Sequence, residues 1–202
     1  MSTPTLAYRH ATNPSRGLAA TGIIFFIVKA LLALPHLIIV GALQYLAYIA
    51  AYIGFFIVAF TGNMPGGLFR FIEIWMGWTA RTYGWIIGLT DMYPPFETDP
   101  AYPVALHVEK PANPSRGWGV AGIFFLRFIV LIPHFIVLAF VGLAAVIAVW
   151  IGYIVVLLTG SLPVGIQDFA AGTMQWSLRV TAFATGLTDD YPPFSLQVTP
   201  TA

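Results

Sequence analysis

The stretch LIIVGALQYLAYIAAYIGFFIVAF, residues Leu37–Phe60, decides the fold of this chain. Its 24 residues carry no charged side chain. A helix rises about 1.5 Å per residue, so this stretch would be roughly 36 Å long, enough to cross a hydrocarbon core of about 30 Å. A second stretch of the same kind, FIVLAFVGLAAVIAVWIGYIVVLL, occupies Phe135–Leu158. The sequence therefore predicts two transmembrane helices and arranges its other segments around them.

The composition indicates a membrane protein. Of 202 residues, 58% are hydrophobic and only 8% are charged, whereas a soluble domain has about 25% charged residues. The chain has no cysteine, which excludes disulfides, thiolate metal sites and cysteine catalysis. The net charge of +1 gives no indication of nucleic-acid binding. The polar start does not resemble a cleavable signal peptide, so we expect insertion through the first apolar segment.

Two copies of one unit make up most of the sequence. Asn13–Gly17 returns as Asn113–Gly117 at an offset of 100, and Pro35-His36 returns as Pro133-His134 at an offset of 98. The offset of 98 then holds through three further motifs, which are Thr-Gly-x-x-Pro, Trp-x-x-Arg and Leu-Thr-Asp-x-Tyr-Pro-Pro-Phe. The predicted divisions are a polar segment 1–12, repeat unit 13–98, a linker 99–112, repeat unit 113–196 and a tail 197–202.

Each unit is predicted to be a transmembrane helical hairpin followed by an interfacial amphipathic helix. Asn13 or Ser15 can cap the first helix, and the apolar segment 17–34 would pair with the long span through a turn at Pro35-His36. A bent helix or a re-entrant hairpin at this turn is the alternative. The segments 66–89 and 164–187 would then lie in the membrane interface, with a third crossing as the alternative. The predicted interface anchors are aromatic: Trp75, Trp78, Trp85, Tyr93, Trp176 and Tyr191.

The fold class predicted is thus an all-α integral membrane protein, a tandem parallel repeat with about four transmembrane helices. If each unit crosses twice, seven of the nine Lys and Arg residues share one side. The positive-inside rule makes that side cytoplasmic. This places both termini in the cytoplasm and the chain in a bacterial inner membrane. An odd number of crossings would instead give inverted repeats, which are typical of transporters.

The repeated motifs carry a resemblance to a known family. The Pro-His, Thr-Gly-x-x-Pro and Trp-x-x-Arg motifs, with Leu-Thr-Asp-x-Tyr-Pro-Pro-Phe at Leu89–Phe96 and Leu187–Phe194, resemble the bacterial membrane proteins grouped as domain-of-unknown-function family 4389. The resemblance covers about 13–194. It implies an integral membrane protein in which the unit is often repeated, and it implies no activity and no catalytic residue.

Two pairs of basic residues and histidines are candidates for a binding site. Lys29 and His36 are seven residues apart, as are Arg127 and His134, so each pair would share a helix face. Such a pair could bind a lipid phosphate. The alternative is structural, with the cations reaching the far interface and the histidines completing a turn. Ion or proton conduction has less support, because the spans contain no Asp or Glu.

Asp91 and Asp189 precede the two Tyr-Pro-Pro-Phe motifs. They could contact a partner or an ion, but an aspartate at such a position more often stabilises a turn. An ion pair is the other structural reading. The basic residues expected as its partners are Arg16, Arg81, Arg116 and Arg179.

No catalytic constellation, metal-ligand spacing, phosphate loop or dinucleotide fingerprint occurs in the sequence. We therefore expect a non-enzymatic structural or accessory protein without cofactor or metal. It would bind lipids and pack against other membrane subunits or itself through its small residues. The alternative is a small transporter, channel or lipid-moving protein that uses the Lys29/His36 and Arg127/His134 pairs. A membrane-bound enzyme is a third alternative. The sequence leaves the partner, the lipid and the oligomeric state open.

Overall fold

Each repeat folds into a short strand followed by four helices. The computed structural model describes residues 3–24, 26–98 and 101–198. The first repeat consists of β1 (Thr5–Tyr8), α1 (Arg16–Ile23), α2 (Ile27–Leu32), α3 (Leu34–Thr61) and α4 (Gly66–Ile86). The second consists of β2 (Val104–His107), α5 (Arg116–Ile123), α6 (Leu126–Val130), α7 (Ile132–Thr159) and α8 (Val164–Ala184). The first two residues of the predicted linker and the last four of the predicted tail lie outside the described residues.

The apolar entry segment is broken, so the predicted transmembrane hairpin of segment 17–34 with the long helix is wrong. α1 has only eight residues, about 12 Å of helix. Its N-cap is Ser15, whose side chain accepts a hydrogen bond from Leu18 N. The break falls at Phe26, whose φ of 62° is left-handed, and Phe125 repeats it at 59°. Such a conformation costs an L residue about 1–2 kcal/mol. Because both repeats have this conformation, the bend is a regular feature of the unit.

The helical hairpin of each unit is formed by α3 and α4 instead. α3 ends at Gly62, whose φ of 71° suits glycine, and Pro65 begins α4. α4 then returns along α3, so that Trp78 reaches His36 near the start of α3. Pro35 occupies the first turn of α3, where no backbone N–H is required. The Pro-His motif therefore begins a helix and does not make the predicted turn.

α4 and α8 form the centre of the molecule, which corrects their predicted place in the membrane interface. Eleven residues of α4 and twelve of α8 are buried. α3 covers one face of α4, and β2 covers another face, which carries Arg70, Glu73 and Arg81. The aromatic and small residues of these helices are therefore core residues.

The two repeats exchange their entry helices. α1 packs on α7 of the second repeat, and α5 packs on α3 of the first. The approach is close, because a Cβ on Gly119 would lie 2.7 Å from the backbone N of Ala59. Two equivalent glycines also lie against rings of the other repeat, since Gly22 of α1 meets Tyr153 and Gly122 of α5 meets Phe55. Neither repeat could bury its long helix in this way without the other.

The long helices run in broadly opposite directions. Lys29, just before α3, has its Nζ 4.8 Å from the ring centroid of Tyr153, near the end of α7. Arg127, just before α7, lies in the same way 5.3 Å from Phe55, near the end of α3. The start of each long helix therefore lies beside the end of the other. The prediction of parallel repeats concerns the orientation of the units in a membrane and stays a prediction.

A two-stranded sheet joins the repeats, so the fold is mostly helical and not all-α. β1 pairs antiparallel with β2, and Leu6 faces Leu106. These two residues are equivalent at the repeat offset of 100. An approximate twofold axis therefore passes between them, normal to the sheet. The side chains of Leu6, Tyr8 and Val104 point inward and are buried.

α3 and α7 are both long and apolar enough to cross a membrane by length and composition. In their most apolar 18-residue windows only 33% and 17% of the residues are buried. The core helix of a soluble protein would be mostly buried. Their outer faces instead expose large apolar side chains, among them Tyr45 and Phe60 on α3 and Phe140 and Leu158 on α7.

Candidate functional site

Three of the repeated motifs meet in one aromatic cluster around a buried histidine. His36, from the Pro-His motif, is fully buried, and its Nδ1 accepts from the indole N–H of Trp78 at 2.9 Å. Phe96, from Tyr-Pro-Pro-Phe, stacks on the imidazole with ring centroids 4.0 Å apart. Tyr93 meets the same imidazole edge-on at 5.1 Å and donates its hydroxyl to Leu32 O.

The second repeat builds the same cluster. Trp176 donates to His134 Nδ1 at 2.9 Å, and Phe194 stacks on His134 at 3.9 Å. Tyr191 donates to Val130 O. Because Nδ1 accepts a hydrogen bond in each case, the neutral imidazole carries its proton on Nε2. Each cluster fixes the end of its unit to the start of its long helix, so the motifs have a clear structural purpose.

Lys29 is completely buried. Its Nζ donates to Trp85 O at 2.9 Å and lies 4.9 Å from the Trp85 ring centroid and 4.8 Å from that of Tyr153. Two aromatic faces and a carbonyl thus surround the ammonium. The hydroxyl of Tyr153 donates to Ile86 O, the next carbonyl of α4.

Arg127 is 1% exposed and satisfies four acceptors. It donates to Trp118 O at 3.0 Å, to Phe183 O at 2.7 Å, to Thr188 O at 3.0 Å and to the carboxylate of Asp189. Lys29 and Arg127 therefore bind carbonyls inside the protein. The predicted lipid-headgroup site at Lys29, His36, Arg127 and His134 is wrong in this structure, because a headgroup cannot reach four buried side chains.

Asp91 and Asp189 hold the starts of the entry helices. Asp91 accepts from the backbone N–H of Ser15, and Asp189 accepts from that of Ser115 at 2.6 Å. Both contacts are structural, but they join each aspartate to a distant serine, and the expected ion pairs with the four arginines are not present among the described residues. Asp189 pairs with Arg127 instead.

The four arginines bind or contact the backbone. Arg81 donates to Glu97 O at 2.8 Å, and Arg179 donates to Ser195 O and Gln197 O. Arg116 donates to Thr61 O, and Arg16 lies against Gly160. Arg81 and Arg179 thereby connect α4 and α8 to the segments that follow them. Arg16 and Arg116 connect the entry helix of one repeat to the end of the long helix of the other.

The predicted interface anchors divide into two groups. Trp75, Trp78, Trp85 and Trp176 are all less than 10% exposed, so they do not reach a headgroup region and this assignment was wrong. Tyr93 and Tyr191 are 41% and 45% exposed and remain available as anchors.

Two apolar cavities and one polar cavity stand out among the described residues. One apolar cavity of about 370 Å³ lies between α4, α7 and α8, and includes Tyr83, Val149 and Met174. The other, of about 400 Å³, lies between α3 and the α5–α6 bend. The polar cavity of about 300 Å³ lies between β2 and α4. Lys29, His36, Arg127 and His134 line none of them.

The sequence analysis missed a polar cluster between the N-terminal segment and α8. Asp168 accepts from the Tyr8 hydroxyl and lies 2.8 Å from His10 Nε2. The hydrogen bonds from Tyr8 and then His10 lower the pKa of Asp168. Gln175 of α8 binds the edge of β1, as its Oε1 accepts from Leu6 N and its Nε2 donates to Pro4 O. The only signal in the sequence was that polar residues at these positions interrupt an apolar helix.

No three His, Asp or Glu side chains within the described residues lie close enough together to hold a metal ion.

The comparisons with known proteins give one match. The family model described as "Domain of unknown function (DUF4389)" matches residues 25–97 and 123–195, that is, most of both repeats. No curated protein and no solved structure matches the chain.

Proposed function

We propose, from the premise that this chain belongs to the DUF4389 family, that it is a non-enzymatic structural or accessory protein of a membrane, which binds lipids and packs against other membrane subunits or against a second copy. The observation that carries this proposal is the apolar surface of α3 and α7. Monomeric soluble proteins rarely expose contiguous apolar patches of more than a few hundred Å². The exposed apolar side chains of α3 and α7 are suited to contact with lipid hydrocarbon.

The distribution of charge suggests how the molecule sits. The backbone edges of a sheet cannot face lipid without loss of their hydrogen bonds. Exposed charged residues also lie on or next to the strands, including Arg9, Glu109 and Lys110. We therefore place the sheet in water and the outer faces of α2–α3 and α6–α7 in hydrocarbon, with the twofold axis along the membrane normal. Because α3 and α7 run in opposite directions about this axis, they then lie at a shallow angle in the membrane. Both repeats then have the same orientation, and the positive-inside rule favours a cytoplasmic sheet and cytoplasmic termini.

The apolar cavities suggest where lipid binds. The cavity between α4, α7 and α8 has walls of small and apolar residues such as Ala145 and Ala170. A Cβ on Gly142, which also lines it, would meet nothing within 4 Å. An acyl chain fits such an apolar groove in a surface that hydrocarbon surrounds. The residues proposed for the transporter or channel alternative line none of these three cavities, so the cavities do not favour that alternative.

Cysteine labelling tests this placement in a chain without native cysteine. Single variants Ala105→Cys on β2, Tyr45→Cys on α3 and Phe140→Cys on α7 are treated in intact membranes with an impermeant maleimide from each side. We expect Ala105→Cys to react from the cytoplasmic side only, and the other two to react only after detergent is added. Rapid labelling of Tyr45→Cys and Phe140→Cys in intact membranes would show that α3 and α7 face water and would end the proposal.

The accessory role is tested by purification in mild detergent followed by native mass spectrometry. We expect bound lipid together with a partner subunit or a second copy. A lone monomer that carries neither would contradict the packing role and the lipid-binding role together.

A further inference from the structure

The second repeat has small residues at a place where the first repeat has large ones. α3 and α4 have the same bounds as α7 and α8 at the offset of 98, so the two helix pairs correspond residue by residue. The apolar cavity of about 370 Å³ lies between α4, α7 and α8. Four of its wall residues are Gly142, Val146, Ala170 and Thr173, and the equivalent residues of the first repeat are Gln44, Tyr48, Ile72 and Trp75.

Two aromatic rings occupy the corresponding place in the first repeat. The rings of Tyr48 and Trp75 have their centroids 5.6 Å apart and meet edge to face at 69°. Trp75 is 4% exposed, so its indole is enclosed where α3 packs on α4. Two wall residues of the second repeat, Val149 and Leu178, are larger than the alanines at their counterpart positions, but neither carries a ring. A flat ring is therefore the kind of group that fits between the two helices of a unit.

The cavity wall also carries hydroxyl groups whose protons are already donated. Thr173 Oγ1 donates to Phe169 O at 2.9 Å, and Ser177 Oγ donates to Thr173 O at 3.0 Å. Thr79 and Thr181, which also line the cavity, donate to backbone carbonyls in the same way. Because a hydroxyl has one proton and two acceptor lone pairs, each of these groups can offer a ligand an acceptor while its own bond is kept. A ligand with a hydrogen-bond donor therefore suits this wall better than a plain hydrocarbon chain does.

We propose that the cavity between α4, α7 and α8 binds a membrane-soluble molecule with a flat ring and a hydroxyl group, of the phenol or hydroquinone class. The ring takes the place that the Tyr48 and Trp75 rings have in the first repeat, and the hydroxyl donates to Thr173 or Ser177. Tyr83 lines the cavity and is 46% exposed, so its ring can contact the bound ring. A volume of about 370 Å³ lies within the range of small-molecule sites.

This inference rests on the proposed function, because the ligand enters the cavity from the surrounding lipid, and it names the class of molecule bound there. An acyl chain is the competing occupant.

The test uses the full chain in lipid nanodiscs, with isotope-labelled methionine methyl groups followed by NMR. Met174 lines the cavity, and its counterpart Met76 is 1% exposed in the first repeat, so Met76 serves as the internal control. The probes are β-naphthol, its methyl ether and dodecanol, which have a ring with a donor, a ring without a donor, and a donor without a ring. We expect β-naphthol to shift the Met174 signal at about five-fold lower content in the lipid than the ether does. Dodecanol should give no saturable shift.

The decisive variant is Val146→Tyr/Thr173→Trp, which installs the rings of the first repeat and should abolish the Met174 shift. Leu143→Tyr on the exposed face of α7 is the matched control and should bind as the parent does. Thr173→Val/Ser177→Ala keeps the cavity but removes two acceptors, so it should weaken β-naphthol binding about five-fold and leave binding of the ether unchanged. A Met76 signal at its parent position shows that a variant is folded.

Equal binding of β-naphthol and its ether, or an unchanged Met174 shift in a folded Val146→Tyr/Thr173→Trp protein, would overturn the proposal. Tighter binding of dodecanol than of β-naphthol would also overturn it, since it would assign the cavity to an acyl chain, but would leave the proposed lipid binding intact. Failure of the proposed function shows separately, as rapid labelling of the Tyr45→Cys and Phe140→Cys variants in intact membranes.

Discussion

Replacement of Arg127 by methionine should destabilise the fold strongly, although Arg127 is a cation within an apolar segment of the sequence. The substitution keeps the length and apolar stem of the side chain but removes every donor. It leaves three backbone carbonyls, of Trp118, Phe183 and Thr188, without the bonds they accept from Arg127, and leaves the Asp189 carboxylate without its cation.

The magnitude follows from what is left behind. Removal of one partner of a buried ion pair costs about 3–5 kcal/mol, and each buried acceptor without a donor costs about 1–3 kcal/mol. These costs overlap, and the Asp189 side chain is 21% exposed and regains some hydration. We therefore expect Arg127→Met to lower the free energy of unfolding by about 3–5 kcal/mol in total. Arg127→Lys should lose less, because it keeps the charge but cannot reach all four acceptors.

The assay is unfolding in mild detergent by titration with sodium dodecyl sulfate, followed by tryptophan fluorescence. Phe128→Met is the control, because it makes a similar change on the same short helix at an exposed position and should cost less than about 0.5 kcal/mol. The double variant Arg127→Met/Asp189→Asn should recover about 1–2 kcal/mol, since no unpaired carboxylate remains. An Arg127→Met protein within 1 kcal/mol of the parent, or a double variant with no recovery, would refute this reasoning.

Three further predictions concern contacts in the core and at the sheet. Trp78→Phe should cost about 1–3 kcal/mol by the same assay, because a buried histidine nitrogen loses its donor. Trp75→Phe should cost at least 1 kcal/mol less, since its indole N–H has no partner among the described residues; equal costs would contradict the role of the hydrogen bond. Gly119→Ala should destabilise by more than about 1 kcal/mol through a clash with backbone, whereas Gly142→Ala should be neutral or stabilise by up to about 1 kcal/mol, and the reverse order would disprove the helix contact. The lowered pKa of Asp168 means that its contribution to stability is present above the ordinary aspartate pKa and is lost as the pH falls through the lowered value. Asp168→Asn should therefore flatten the acid side of a stability profile measured from pH 6 to pH 3, and a parallel profile would contradict this.

The sequence was sufficient for the long helices and for the repeat. Twenty-four uncharged residues leave few options except an apolar helix, and motifs in constant order and spacing show that each unit has the same fold. Serine before an apolar run also predicted the cap at Ser15, because that interaction involves residues only three apart. These features are local or periodic, which is why they can be read without coordinates.

The sequence was not sufficient for the partners of each element. Segment 17–34 is mostly apolar, so nothing in its pattern marks the left-handed conformation of Phe26. In the structure, the ring of Phe26 contacts Tyr153 of the other repeat. A tryptophan in an apolar helix suits a membrane interface and a protein core equally well, and only the packing of α3 on α4 shows that Trp75 and Trp78 are buried. The two strands were not predicted because four residues in each carry too little periodicity, and because the strands pair across 96 residues or more.

Sequence alone thus determined that the chain has two equivalent units, each with a long helix that hydrocarbon suits, because composition and periodicity are properties of the chain itself. Tertiary structure alone decided that Lys29 and Arg127 are held by backbone carbonyls inside the protein. It also decided that the long helices run in opposite directions and that Gln175 binds the edge of β1. The physical reason is that burial, hydrogen-bond partners and empty space depend on which distant segments meet, and no local pattern records that.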